Sequence, residues 1–360
     1  MNPLQDKDIL WLIFNYLDAN NLCNAAKTCR KWNFVYNKNK FQYTFYGKKF
    51  VNEKLYLIKN IDVRKDVKIC SPYITDVGII NLYKNNKIRK LSIQYNSFTI
   101  TNKSIKILSE TLEALNCTHS VNLTDTSLRC LAKNKKIKYL SVSYDEISDN
   151  GFIGLNFVEH LFVEGKNLSN GFLEYVASDK LKEIGLPSQI TSFFPLRFCK
   201  LTYLSLYASE ITDEELKYIN TDNLKSLVLC WCKNISDIGI LNLTKGKAVH
   251  LEKLCLRSSK ISNTSLMNIS ATDLDIWGTN ITDDGFMYLN KTLKLSIGEM
   301  KKLTKSCLRH ISHITYLLAP RTSIDTSSLI EFQTSNPHIK CNPNFLKELE
   351  EQQEQEQNWK

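Results

Sequence analysis

The nine residues "ITDEELKYI", Ile211–Ile219, constrain the fold more than any other feature. Near-copies recur as "ITDVGIINL" from Ile74, "ISDIGILNL" from Ile235 and "ITDDGFMYL" from Ile281. Each copy follows a short leucine-rich stretch. In "LTYLSLYASEITDEELKYI" the apolar positions are Leu201, Leu204, Leu206, Ile211, Leu216 and Ile219. The next copy places Leu224, Leu227, Leu229, Ile235, Ile240 and Leu243 in the same frame, and the one after it Leu251, Leu254, Leu256, Ile261, Leu266 and Ile269. The L-x-L core has period two and predicts a short strand with two side chains inward. The I-T-D segment then switches to helical spacing, with Thr or Ser as N-cap and Asp in the first turn, where the helix dipole favours an anion.

One strand and half-helix cannot bury their own apolar face, whereas stacked copies can. Repeat starts fall near Arg64, Ile88, Leu112, Ile137, Val158, Leu181, Leu201, Leu224, Leu251, Ala271, Thr292 and Ile314. That spacing of about 20 to 27 residues is the period of leucine-rich repeats. The expected architecture is an α/β leucine-rich-repeat solenoid, a horseshoe with a parallel sheet on its concave face. Burying each leucine contributes roughly 1.5–3 kcal/mol, and several per repeat must offset the ordering of the backbone. The repeat from Leu181 keeps its strand but carries Pro195 and aromatic residues where the helical half belongs, which predicts an irregular loop. The repeat near Thr292 is a weaker copy, "KLTKSCLRHI". After Ile339 the pattern stops, and residues 341–360 read as a polar, disordered tail with a helical turn or two.

The copies resemble the cysteine-containing subclass of leucine-rich repeats, whose strand continues into a Cys or Asn before the I-T-D segment. Cys232 and Asn96 occupy that position, and Ser209, Ser259 and Thr279 replace it elsewhere. The resemblance covers residues 64–340, about 12 repeats.

The front of the chain does not repeat. Ile9, Leu10, Ile13, Phe14 and Leu17 form one helical face, Asp18 and Asn20 break it, and Leu22, Ala25, Ala26 and Cys29 form a second face ending at Trp32. This is more apolar surface than a small helical module can hide, so it calls for a partner. The segment resembles an F-box, a small all-α module. Asp8 precedes the Ile9-Leu10 pair, followed by Ile13-Phe14, Tyr16-Leu17, Leu22, Ala26 and Cys29-Arg30-x-Trp32. The family's opening Leu-Pro would fall on Gln5 and Asp6, with Pro3 and Leu4 just upstream. The expected layout is an F-box-like helical domain over 1–45, a linker or first cap over 46–63, then the repeats.

An F-box followed by cysteine-type repeats is the layout of the F-box/leucine-rich-repeat family. The resemblance implies a non-enzymatic receptor that docks on a Skp-type adaptor and, through it, a cullin-RING ubiquitin ligase. The adaptor-facing residues would be Ile9, Leu10, Ile13, Phe14, Leu17, Leu22, Ala26, Cys29 and Trp32. The repeats would hold an unknown protein substrate and raise its effective concentration near the ubiquitin-carrying machinery. The competing readings are a repeat scaffold or inhibitor whose front helices are only a cap, and a viral decoy that competes for host adaptor.

Other classes find less support. The formal charge of +10 permits nucleic-acid binding, but the lysines are scattered and no arginine-rich run appears. The stretch "ILWLIF" is too short for a membrane span and is flanked by Asp8 and Asp18 rather than by a basic leader. Eleven cysteines without a fixed framework fit reduced thiols in the cytoplasm or nucleus, or in a host cell's cytoplasm if the chain is viral. Cys230 with Cys232, and His310 with His313, lack a second ligand pair, so neither a metal nor a cofactor is expected. Recognition is expected on outward strand positions carrying large side chains: Tyr139, Phe162, Glu164, Tyr203, Tyr207, Arg257, Asp275 and Trp277. Aromatic and Arg residues dominate binding hot spots, although aromatics also stack across strands to support a sheet.

Overall fold

Strands and helical segments alternate along the chain in a computed structural model that describes residues 43–46, 66–70, 73–86, 88–93, 100–118, 122–143 and 145–341. The chain divides into two compact units, residues 1–176 and 177–360.

In the first unit six strands, β1 (Tyr43–Tyr46), β2 (Asp66–Cys70), β3 (Lys90–Ile93), β4 (Ala114–Cys117), β5 (Tyr139–Ser143) and β6 (His160–Glu164), pair in chain order, each parallel to the next. The register stacks Val67, Leu91, Leu115, Leu140 and Leu161 into one buried row. Phe152 and Phe172 fill the space behind them, ring centroids 5.2 Å apart.

The second unit repeats the plan with β7 (Glu183–Leu186), β8 (Tyr203–Tyr207), β9 (Ser226–Cys230), β10 (Val249–Cys255), β11 (Ile269–Asp275), β12 (Lys294–Ser296), β13 (Tyr316–Leu318) and β14 (Lys340–Cys341). Its buried row runs Ile184, Leu204, Leu227, Leu254, Leu274, Leu295 and Leu317. Strands β2 to β13 fall on the predicted L-x-L segments. Strands β1 and β14 add pairing beyond the first and last of them.

The helical halves come in two forms. Where paired strand positions lie about 24 residues apart, as along Asp66, Lys90, Ala114 and Tyr139, the segment between them is an α-helix, as at Asp76–Asn86, Asn102–Leu108 and Asp125–Asn134. Shorter repeats mostly use 3-10 helix, as at Asp149–Phe152, Asp213–Tyr218, Asp283–Tyr288 and Lys305–His310. The 3-10 helix rises about 2.0 Å per residue against about 1.5 Å for α, so a short repeat crosses the same width with fewer residues. The irregular loop predicted around Pro195 is instead a 3-10 helix, Phe194–Phe198. Pro195 sits in its first turn, where a missing N–H costs nothing.

The Asp of each I-T-D does more than face a dipole. Asp76 accepts from the backbone N–H of Thr101 at 2.9 Å and from its hydroxyl at 2.6 Å, one repeat further on. Asp125 does the same for Ser148, Asp213 for Ser236 and Asp237 for Ser262. Asn takes the role at Asn102 and Asn263, each accepting from the next Thr N–H and donating to its hydroxyl. The carboxylate of one repeat therefore fixes the capping residue of the next. At Phe193 the direction reverses: Glu215, one repeat later, accepts its N–H at 2.7 Å.

The cysteine-type position is buried in four repeats of the second unit, at Ser209, Cys232, Ser259 and Thr279. Ser209 donates to the Ile190 carbonyl, Ser259 to Leu256, Thr279 to Ile276, and the Cys232 thiol to the Cys230 carbonyl at 3.8 Å. These side chains satisfy carbonyls at the bend where the chain leaves the sheet, which is why a small polar side chain recurs there.

Candidate functional site

The outward strand positions form an open sheet face on each unit. In the first, Tyr139 stacks obliquely with His160, centroids 6.2 Å apart, and with Phe162 at 5.7 Å. The register places Tyr139 opposite His160, with Phe162 on the diagonal, a separation within reach of aromatic rings. Glu164 is exposed and accepts a hydrogen bond from the Ser143 hydroxyl at 3.1 Å. Three of the predicted recognition residues, Tyr139, Phe162 and Glu164, therefore share one patch.

In the second unit Arg257, Asp275 and Trp277 come together in one cluster, Arg257 and Trp277 just past the ends of β10 and β11. The guanidinium meets the Asp275 carboxylate at 2.7 Å and lies 4.7 Å from the centroid of the Trp277 ring. The backbone N–H of Trp277 donates to Asp275 Oδ1 at 3.2 Å. The indole lies so close over Gly298 that a Cβ there would stand 2.5 Å from ring atoms. Trp277 is thus packed between a cation and bare backbone, and is only half exposed. The Nε of Arg257 finds no acceptor among the described residues. Tyr203 is half-buried, while Tyr207 is 63% exposed at the end of β8.

Beside this cluster Cys230 hydrogen-bonds Cys255. That bond draws the Cys230 thiol below its ordinary range and pushes Cys255 far above it, with burial adding to the rise at Cys255. Cys232 points away into the core, where burial raises its thiol to about 11. The C-x-C therefore spans two faces. The histidine pair diverges as well: His313 bonds the Leu289 carbonyl, and His310 accepts from Arg309. Among the described residues no three His, Cys, Asp or Glu side chains gather as a metal site, and no helix is long and apolar enough to cross a membrane.

Two surface features escaped the sequence reading. One is a cleft of about 570 Å³ on the first unit's sheet face, among Lys68, Lys90, Lys138 and Tyr139. The other lies on the Phe194–Phe198 helix of the second unit. There Arg197 sits 3.6 Å from the centroid of Phe194 and 4.5 Å from that of Phe198, with the two rings 46% and 73% exposed. Lysines dispersed along the chain give no local signal for the first. For the second, the aromatic run around Pro195 was visible but read only as a break in the pattern.

The predicted adaptor-binding residues, Ile9 to Trp32, lie outside the described residues. They fall within residues 7–44, which match the family model described as F-box-like. An F-box-like segment precedes leucine-rich repeats in this chain.

Among solved structures, an internalin from Listeria monocytogenes matches with TM-score 0.51 and 19% identity, over 81% of this chain and 88% of that one. Rad7 in complex with Elc1 from yeast matches at TM-score 0.47 and 18% identity, over 86% and 87% of the two chains. A Leptospira interrogans leucine-rich-repeat protein follows at 0.43 and 11%, over 94% and 98%. Of these the internalin match alone bears on the fold, which it shares with the repeats described above. The chain matches no curated protein sequence.

Proposed function

We propose that this chain is the substrate-recognition subunit of a Skp/cullin/F-box ubiquitin ligase, its front docking on a Skp-type adaptor and its repeat sheet holding the protein to be modified. The observation that carries the reading is the F-box-like match over residues 7–44 directly ahead of the repeats. F-box modules bind Skp-type adaptors, and the matched segment contains Ile13-Phe14, Tyr16-Leu17 and Cys29-Arg30-x-Trp32. F-box and leucine-rich-repeat modules are typically non-catalytic, which fits a chain that acts by holding two partners near one another. Such a chain works in the cytoplasm or nucleus, where the ligase operates.

The test is copurification of the full chain with a Skp-type adaptor, beside Leu17→Asp. The expected result is a one-to-one complex that the substitution abolishes while the thermal unfolding of the repeats stays unchanged. No complex with a folded chain would sink the reading and leave a repeat scaffold with a helical cap. A stable adaptor complex that gains no cullin would favour a decoy that sequesters adaptor.

A further inference from the structure

The cleft on the first unit's sheet face owes its depth to a small side chain at its centre. Ala114 on β4 lies in register between Lys90 on β3 and Tyr139 on β5, so the row of outward side chains drops to a single methyl there. Around it stand Lys68 from β2, Lys90 from β3 and Lys138 at the entry to β5, with Tyr139 and His160 along one wall. Among the described lining residues Glu113 is the one carboxylate, and Arg89 already meets it at 3.2 Å; Asp66 of β2 lies in register with Lys90. Lys138 shares its charge with Glu159 at 3.3 Å. Lysines therefore outnumber carboxylates among the described lining residues, and the volume of about 570 Å³ is that of a ligand site rather than a packing defect.

The placement of the cations says what fits. From β2 to β5 is three strand spacings, about 14 Å at 4.8 Å each. One phosphate cannot meet lysines spread that far, whereas four or five residues of extended chain, at about 3.3 Å per residue, cover the distance. We propose that this cleft receives a short acidic stretch of the captured protein, laid across β2 to β5 with its carboxylates toward Lys68, Lys90 and Lys138 and its backbone against Tyr139. This rests on the receptor reading above and gives its substrate a chemistry.

The experiment is fluorescence anisotropy of a fluorescein-labelled hexaglutamate peptide with the full chain. Lys68→Glu/Lys90→Glu should weaken binding by about tenfold or more, because like charges now face the peptide. Lys301→Glu/Lys302→Glu changes net charge equally at exposed residues of the second unit and should leave affinity within about twofold. Ala114→Trp fills the cleft without altering charge and should also weaken binding. If the glutamate double variant loses its melting transition, Lys68→Gln/Lys90→Gln takes its place.

Equal losses in both charge-reversed variants would overturn the proposal, since the peptide would then be answering to net charge alone. So would absence of binding, or inorganic tripolyphosphate binding through Lys68 and Lys90 where the peptide does not. Adaptor copurification on the same variants separates the two ideas. Adaptor lost with peptide retained strikes the receptor reading, and adaptor retained with peptide lost strikes only the cleft.

Discussion

At the scale of single residues, the carboxylate that reaches the following repeat governs stability. Asp237 accepts from the Ser262 N–H and hydroxyl and from the Ser265 hydroxyl at 2.5 Å. Asp237→Ala strands these donors and should cost about 1.5–3 kcal/mol in chemical denaturation. Asp237→Asn should cost less, because Asn102 and Asn263 already fill the same role in other repeats. Burial pushes the Asp237 carboxyl up, but the bonds from Ser262 and Ser265 outweigh it and hold the group below its usual value. A carboxyl depressed on folding contributes stability that is present above its unfolded pKa, about 3.9, and is lost as pH falls through the folded value. The chain should therefore lose stability below about pH 4, with a smaller acid loss in Asp237→Asn; identical pH profiles for the two would contradict this. Gly298 is a second sensitive residue, since any Cβ must displace the Trp277 ring. Gly298→Ala should cost about 1–3 kcal/mol and shift Trp277 fluorescence, as overpacking does. Tyr207→Ala, at an exposed ring, should leave the melting temperature nearly unchanged.

Among the elements, the bends that leave the sheet in the second unit share one backbone state. Ala208, Trp231, Ser258, Gly278, Glu299 and Arg321 all have positive φ, from 51° to 66°, and only one of them is glycine. The N–H groups of Ala208, Trp231, Ser258, Gly278 and Glu299 extend the ladder, Ala208 donating to the Cys230 carbonyl at 2.8 Å. Left-handed backbone costs an ordinary residue roughly 1–2 kcal/mol, and glycine's extra unfolded freedom offsets about 0.5–1 kcal/mol of the relief. Ala208→Gly should thus stabilise the protein by roughly 0.5 kcal/mol, and a lowered denaturation midpoint would refute the strain. The strands themselves were readable from the L-x-L period, and the caps from Thr or Ser before Asp or Asn. The strain was hidden because Trp231 and Glu299 are not turn residues by composition. Whether a half-repeat becomes α or 3-10 is not written in the I-T-D motif, which is common to both, and repeat length tracks it with an exception at Asn263–Asn268, α-helical in one of the shortest repeats. The partner of Asp237 was hidden for another reason: Ser262 belongs to the next repeat, and one repeat read alone shows only a dipole.

Across the whole molecule, contacts run mainly between neighbouring repeats, so damage should spread like a fault in a stack. Leu229, fully buried on β9, should cost about 2–5 kcal/mol when cut to alanine. Amide exchange should rise most in β8 to β10, falling off with distance along the second unit; uniform loss of protection across that unit would mean a single cooperative core. The candidate recognition face was half legible. The large outward residues stood out, and they gather in one group on each unit, Tyr139 with Phe162 and Asp275 with Arg257 and Trp277, the last two just past the ends of their strands. The cleft among Lys68, Lys90 and Lys138 did not, because only the register brings those lysines onto one face around Ala114.

The bond from each carboxylate to the cap ahead of it also gives the stack a direction in time. A chain leaving the ribosome emerges N-terminus first. Asp76 is in place before Thr101 arrives, and Asp213 before Ser236. For these cap bonds each nascent repeat finds its acceptor already standing, whereas ladder donors such as the Ala208 N–H still wait for the carbonyl of the next strand. Among the described caps Phe193 runs the other way, waiting for Glu215 to be made before its N–H finds a carboxylate.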